Sequence, residues 1–289
     1  RLTIKGTIYE NLILLRAQPN YIAQLKAQAD NPAKVAAWLE GSWDIVSGGM
    51  FDDVWDPKYN VVKRFMPPLS WKLDRSFDWG SSSPFSVGWW AQSDGSDYQD
   101  GNGQWRSSVR GDLFRVAEWY GWNGEPNKGL RMLAVDIAKG MRERELGYFR
   151  GRKVNAGPAD AAIFKTENGM CVATDMQKKV RLADGKVYPG ITWTPSDKTS
   201  GSRVMGWEMC RKMVRNAHPN KNGTPREAPG LFVFDHCDQF IRTFPVLPRD
   251  EKNPDDVDTD GEDHIGDEVR YRVRAHGVGV SSGRVVGTS

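Results

Sequence analysis

The sequence is poor in residues that would cross-link the chain, and it lacks segments that would place it in a membrane. Its 289 residues include three cysteines (Cys171, Cys210 and Cys237), and no two of them have C-x-x-C spacing. This number and spacing argue against a disulfide scaffold or a structural zinc site and favour a reducing compartment. No apolar run approaches the roughly 18 residues that a membrane span requires, and no signal peptide opens the chain. We therefore expect no membrane partner.

The charges of the chain nearly cancel. Lysine and arginine number 40 against 37 aspartates and glutamates, which gives a formal net charge of +3. Binding to nucleic acid would therefore have to come from a local patch rather than from global basic character. The hydrophobic fraction of 39% and the charged fraction of 27% are typical of a globular protein.

The pattern of elements changes along the chain. Residues 1 to about 50 are predicted to form short helices, and strands are predicted from residue 71 onward. Residues 94–110 are a hairpin connection or a disordered insert. The predicted strands are 71–79, 85–91, 113–122 and 231–234, and the predicted helices are 129–149, 200–217 and one that starts near 263. Strands followed by alternating helices and strands predict an α/β fold with a mixed sheet.

Three carboxylates stand where predicted elements begin or end. Asp78 lies late in the first strand, Asp160 follows the Gly157-Pro158 turn, and Asp267 lies on the final helix. Two Mg²⁺ or Mn²⁺ ions that hold a scissile phosphate need several hard oxygen ligands from different elements. Asp78, Asp160 and Asp267 are thus candidate metal ligands, although strand-end aspartates also arise by chance.

The final helix adds further candidates to these carboxylates. Residues three and four apart share a helix face, so His264, Asp267 and Tyr271 are expected to line up. His264 is expected to assist beside Asp267, by orienting a metal-bound water or as an extra ligand. Asp263 is either a helix cap, which the macrodipole favours, or a further ligand.

Two rivals compete for the metal role. Asp74 shares the strand face of Asp78 and either competes for a metal or pairs with a basic neighbour. Asp235, with His236 and Asp238 nearby, ends another strand and either points to the same sheet edge or has a surface or cap role.

Two basic runs are candidate DNA contacts. One includes Arg150, Arg152 and Lys153, and the other includes Lys178, Lys179 and Arg181. Such runs are usually solvated faces, but beside a phosphate-cutting site they could follow the DNA backbone without reading bases.

Several motifs together resemble the large terminase subunits of tailed phages. Residues 73–80, LDRSFDWG, followed by Pro84-Phe85-Ser86-Val87, resemble the first acidic motif of that family. Residues 263–271 resemble its closing D-H-x-x-D-A-x-R-Y motif, except that Glu268 stands where a small residue is usual. The leader, with YIAQL at 21–25, LEGSWD at 39–44 and GGMF at 48–51, resembles the stretch that joins the terminase ATPase to its nuclease.

This resemblance implies a ribonuclease H-like fold with a two-metal nuclease centre that cuts double-stranded, concatemeric viral DNA with little sequence specificity during genome packaging. It implies Asp78 as the bridging ligand, Asp160 and Asp267 as further ligands, His264 as a helper, and two Mg²⁺ or Mn²⁺ ions. It also implies the small terminase subunit and the portal as partners, action in the host-cell cytoplasm rather than in the mature virion, and a monomeric isolated domain.

The motor of that family is not expected in this chain. An ATPase P-loop needs G-x-x-x-x-G-K-[ST], and no such segment occurs, since Lys198-Thr199 lacks the preceding glycines. We therefore expect a helical linker or tail of an absent ATPase domain at 1–66, the nuclease domain at 67–275, and a flexible tail at 276–289. Another ribonuclease H-like enzyme, such as a transposase or junction resolvase, and a non-catalytic docking module are the alternatives.

Overall fold

A computed structural model describes residues 8–10, 16, 20, 22, 48–125, 127–166 and 169–278. Most of the short helices predicted for residues 1–50 lie outside these ranges, as does the predicted tail beyond residue 278. Among the described residues at the start of the chain, Ile8–Glu10 form one 3-10 turn.

The centre of the fold is a seven-stranded mixed sheet. In chain order its strands are β1 (Val61–Val62), β2 (Lys72–Asp78), β3 (Ser86–Gln92), β6 (Leu113–Tyr120), β7 (Pro158–Ala159), β10 (Thr194–Pro195) and β11 (Leu231–Phe234). Their order in the sheet is β1-β11-β6-β3-β2-β7-β10. Two small hairpins are separate from it: β4 (Tyr98–Gln99) with β5 (Trp105–Arg106), and β8 (Val180–Arg181) with β9 (Val187–Tyr188).

The direction of each strand determines which strand ends lie at the same edge of the sheet. Within this sheet β3 pairs antiparallel with both of its neighbours, β2 and β6. The other pairs, β1 with β11, β11 with β6, β2 with β7 and β7 with β10, are parallel. Six strands therefore point the same way, and their carboxyl ends lie at one edge of the sheet.

The helices of the described ranges are α1 (Pro57–Asn60), α2 (Ala134–Phe149), α3 (Val172–Gln177), α4 (Ser202–Asn216), α5 (Asp238–Thr243) and α6 (His264–Val278). Helix α2 contacts α3, and α6 packs against α4 and strands β2, β3 and β7. No helix in the described parts of the chain combines the length and apolar character needed to cross a bilayer.

Strand β2 offers its two faces to different helices because alternate side chains of a strand point to opposite sides. On one face Arg75 makes a buried ion pair with Glu145 of α2, with Nη1 to Oε1 at 2.9 Å. On the other face Asp74 binds Arg272 of α6, and Asp78 lies against His264 at the start of that helix. The two elements run antiparallel, because the contacts go forward along β2, from Asp74 to Asp78, and backward along α6, from Arg272 to His264. One helical turn and two strand residues both advance by about 5–7 Å, which keeps the contacts aligned.

Most strand predictions are confirmed, and residues 94–110 contain the β4–β5 hairpin. The helix predicted from residue 129 instead begins at Ala134. The residues predicted to form its first turn bond to another loop instead, since the Gly129 N–H donates to Ser82 O at 2.7 Å. Arg131 adopts a left-handed φ of 55°, which is not helical. After β11, helix α5 is followed directly by a 3-10 turn, Phe244–Val246.

The predicted boundary after residue 66 does not coincide with a break in the packing. Met50 and Phe51 are buried in the main core, and Val61–Val62 form an edge strand of the sheet. The first part of the predicted tail also belongs to α6, which continues to Val278. The division into a linker, a nuclease domain and a tail therefore stays a prediction.

Candidate active site

Two of the predicted carboxylates are brought together by neighbouring strands. Asp78 is the last residue of β2, and Asp160 directly follows β7, the parallel neighbour of β2. The Asp160 N–H donates to Phe77 O at 2.9 Å, which fixes the two aspartates side by side at the carboxyl edge of the sheet. The strand-end reasoning thus predicted this proximity correctly.

Helix α6 brings the remaining candidates to the same edge. His264 Nδ1 lies 3.3 Å from Asp78 Oδ2. The Tyr271 hydroxyl lies 3.3 Å from Asp78 Oδ1 and 3.4 Å from Asp267 Oδ2. His264, Asp267 and Tyr271 therefore share the helix face that meets the strand end, as their spacing predicted, and segments far apart in sequence converge on Asp78.

Both ring nitrogens of His264 have a hydrogen-bonding partner. Its Nδ1 faces Asp78, and its Nε2 lies 2.8 Å from the side-chain oxygen of Asn127. Burial alone would lower the pKa of His264, but the hydrogen bond and negative charge of Asp78 outweigh that effect and raise it. Asn127 has a φ of 56°, a left-handed conformation that asparagine tolerates better than most residues. No sequence motif pointed to Asn127.

The carboxylates destabilise one another's charged forms. Burial raises the pKa of Asp78 to about 7, and the charges of Asp267 and Asp160 add to that shift, while the hydrogen bond from His264 opposes it. Burial likewise raises the pKa of Asp263 to about 6, with the charge of Asp267 adding to it. A cluster of this kind favours a cation in its vicinity.

Three cations of the chain contact the cluster. Arg270, on the same helix as Asp267, lies with Nη2 3.1 Å from Asp267 Oδ1, and sequence reasoning missed the other two. Lys198 Nζ lies 3.1 Å from Asp160 Oδ1 and 3.2 Å from the Tyr271 hydroxyl. Arg203, in the first turn of α4, donates from Nη1 to both carboxylate oxygens of Asp267 at 2.9 Å. Neither residue forms a motif with its sequence neighbours, so only the fold identifies them.

The donor set fits a hard divalent cation in its chemistry. Asp78, Asp160 and Asp267 offer carboxylate oxygens, the ligands that Mg²⁺ and Mn²⁺ prefer. Burial chiefly raises the pKa of Asp78, with the charges of Asp267 and Asp160 adding to it, so a bound divalent ion would favour its charged form. Their present arrangement is not a closed coordination shell. Across the described ranges, no three His, Cys, Asp or Glu side chains are positioned to hold one metal ion together.

The remaining acidic candidates fall outside the centre of the cluster. Asp74 pairs with Arg272, with Oδ1 2.6 Å from Nε, so it is the buried partner of a basic residue. Asp235 accepts from the Arg64 N–H at 3.2 Å and is exposed at the end of β11, three strands away from β2. Asp263 precedes α6; its carbonyl accepts from the Asp267 N–H at 2.9 Å and its carboxylate lies 3.5 Å from Arg203 Nη2.

The first basic run lies away from the carboxylates. The Arg152 guanidinium donates to the carbonyls of Pro67, Pro68 and Trp71 at 2.8, 2.9 and 3.1 Å. These residues precede β2, whereas Asp78 ends it, so Arg150, Arg152 and Lys153 lie toward the opposite edge. This placement argues against Arg152 as a DNA contact beside the cluster.

The second basic run is exposed. Lys178 pairs with Asp175 at 2.6 Å, and Arg181 donates to Gly185 O at 2.7 Å within its own hairpin. Lys179 is exposed as well. A DNA contact by Lys178, Lys179 and Arg181 stays a prediction.

Glu268, the departure from the closing motif, has a structural explanation. It is completely buried and accepts hydrogen bonds from Ser76 and from Trp90 Nε1, while its second oxygen pairs with the equally buried Arg115. The neighbouring position on β3 is Gly88, where a Cβ would overlap the Glu268 carboxylate. The sequence thus compensates the larger side chain with a glycine and a buried arginine.

Comparison with known proteins yields structural relatives only. No protein-family model matches the chain, and no curated protein does. The large terminase of a thermophilic bacteriophage, in complex with ADP, aligns with a TM-score of 0.51 at 15% identity, over 92% of this chain and 53% of that chain. Another crystal form of the same terminase gives 0.50 at 17% identity, over 82% and 47%. The P22 large terminase nuclease domain gives 0.48 at 15% identity, over 78% and 92%.

The two matches to the thermophilic-phage terminase show that this chain shares the fold of part of that protein, and the chain spans about half of its length. The predicted fold class, an α/β fold with a mixed sheet flanked by helices, is confirmed. The similarity also falls in the family that the sequence motifs indicated.

Proposed function

We propose that this protein is a metal-dependent endonuclease that hydrolyses phosphodiester bonds in duplex DNA with little sequence preference. The observation that carries this proposal is the meeting of Asp78, Asp160, His264 and Asp267, from three distant segments, at one edge of a sheet of the ribonuclease H-like type. These are the four residues for which the sequence motifs imply catalytic roles.

Asp78, Asp160 and Asp267 are the residues that would hold two divalent ions. Bound there, the ions would supply an activated water and stabilise the leaving 3′ oxygen. The side chains around the carboxylates keep them in position. His264 and Tyr271 both contact Asp78, and Asn127 holds the far side of the His264 ring.

The biological setting is carried over from the resemblance and from the thermophilic-phage terminase. We propose that cutting serves genome packaging in the host-cell cytoplasm, with double-stranded DNA as substrate and the small terminase subunit and portal as partners. Mg²⁺ or Mn²⁺ is the proposed cofactor, and the isolated domain is proposed to be monomeric.

The test is cleavage of linear duplex DNA with Mn²⁺ or Mg²⁺ by the wild type and by Asp78→Asn. The proposal predicts cutting by the wild type that EDTA abolishes, and none by the variant. Asp235→Asn serves as the matched control, because it removes a carboxylate at the same sheet edge outside the cluster. Cleavage retained by Asp78→Asn would contradict the assignment. Preference for branched DNA or for an RNA–DNA hybrid over linear duplex would instead favour another ribonuclease H-like enzyme.

A further inference from the structure

Arg203 and Lys198 occupy the carboxylates that the proposed function assigns to metal ions. Arg203 Nη1 lies 2.9 Å from each oxygen of Asp267, so both oxygens face the guanidinium. Lys198 Nζ lies 3.1 Å from Asp160 Oδ1. The side chains that could ligate a cation thus already have cationic partners within the protein.

These contacts have a clear electrostatic reason. Asp160, Asp267 and Asp78 are largely buried close to one another, and a buried charge without a partner is costly. A guanidinium and an ammonium beside them reduce that cost in the absence of metal.

Each cation has a second partner that it keeps if its carboxylate turns to a metal. Arg203 Nε lies 2.7 Å from Asp256 Oδ1, and Asp256 is itself fixed by the Trp207 indole at 2.8 Å. Lys198 contacts the Tyr271 hydroxyl at 3.2 Å and lies 4.9 Å from the centre of its ring. Releasing one aspartate would therefore leave neither cation without a partner.

We propose that Arg203 and Lys198 are resident cations that compete with divalent metal for Asp267 and Asp160, so that metal binding exchanges two ion pairs of the protein for ligand bonds. This inference rests on the proposed metal centre but is separate from cutting. Competition and a scaffolding role predict opposite effects on metal affinity. A residue that merely orients Asp267 would strengthen metal binding, whereas a competitor weakens it.

The test is a Mn²⁺ titration followed by thermal unfolding, with no DNA present. Arg203→Met and Lys198→Met are expected to reach half of the maximal metal-induced shift at a Mn²⁺ concentration about fivefold or more below that of the wild type. Arg211→Met is the matched control, because Arg211 lies on the same helix but pairs with Asp53, and its midpoint should equal that of the wild type. Lys198, half-exposed on a loop, gives a second variant if Arg203→Met does not fold.

Unchanged or higher Mn²⁺ midpoints in both variants, with a normal response of the wild type, would overturn the competition and leave the nuclease proposal intact. If Mn²⁺ shifts the melting temperature of neither the wild type nor the two variants, both the competition and the nuclease proposal are overturned. Lower midpoints in a protein that cuts no DNA would support the competition while the proposed function fails.

Discussion

Asp78 Oδ2 and His264 Nδ1 lie 3.3 Å apart although 186 residues separate them in the sequence. The contact exists because β2 and α6 run antiparallel with matched repeats, so the end of the strand meets the beginning of the helix. Asp74 and Arg272 make the equivalent contact at the other end of the pair. The position of α6 on β2 therefore determines where His264, Asp267 and Tyr271 lie relative to Asp78.

Asp78→Asn is expected to raise the melting temperature of the metal-free protein. Burial and the nearby Asp267 and Asp160 raise the pKa of Asp78 to about 7, so its charged form destabilises the fold near and above that pH. Asp74→Asn is the matched control on the same strand face, and it should lower the melting temperature because it leaves Arg272 without its buried counter-charge. Thermal unfolding at pH 8 in EDTA measures both. Equal effects of the two substitutions would contradict this account.

Glu268→Ala is expected to destabilise the protein by about 3–5 kcal/mol, because it removes the closer of the two carboxylates that pair with the buried Arg115, the other being Glu118 at 3.5 Å. The double variant Arg115→Met, Glu268→Met should be much less destabilised than the sum of the two single changes. Urea unfolding of the single and double variants measures the coupling. Additive effects would show that Arg115 and Glu268 do not stabilise the fold as a coupled pair.

Removing the Asn127 side chain is expected to lower the cleavage rate by about 10–100-fold, because His264 then loses the contact to Nε2. Asn127→Gly tests this without backbone strain, since glycine accepts the left-handed φ of 56°. Asn127→Ala should show the same loss of rate and, in addition, a lower melting temperature. Full activity of the glycine variant would exclude a positioning role for Asn127.

The two basic runs are expected to respond differently to loss of charge. Lys178→Gln with Lys179→Gln should weaken DNA binding at low salt, with the difference shrinking at high salt, since exposed lysines act through the phosphate charges. Arg152→Met should mainly lower stability, because its guanidinium satisfies three backbone carbonyls. Binding isotherms at two salt concentrations, with thermal unfolding, separate the two effects. A salt-independent loss in the lysine variant would argue against a phosphate contact.

The sequence was informative where local pattern and strand direction were enough. Asp78 ends one strand and Asp160 follows another, and the two strands are parallel neighbours. The helical spacing of His264, Asp267 and Tyr271 aligned them correctly. It was uninformative where contacts link distant segments. Lys198, Arg203 and Asn127 reach the site only through the fold, and Arg152 resembles a surface cation until its carbonyl partners are known. The late start of α2 has the same origin, because the N–H groups of Gly129 and Arg131 donate to the carbonyls of Ser82 and Ser81, a distant loop.

The most direct test of the central claim is anomalous scattering from crystals soaked in Mn²⁺, because it locates the metal independently of activity. We predict Mn²⁺ bound by Asp78, with Asp160 and Asp267 as further ligands and Arg203 withdrawn toward Asp256. Soaked crystals with no Mn²⁺ at these carboxylates, or with Mn²⁺ held at Asp235 instead, would contradict the proposed metal centre.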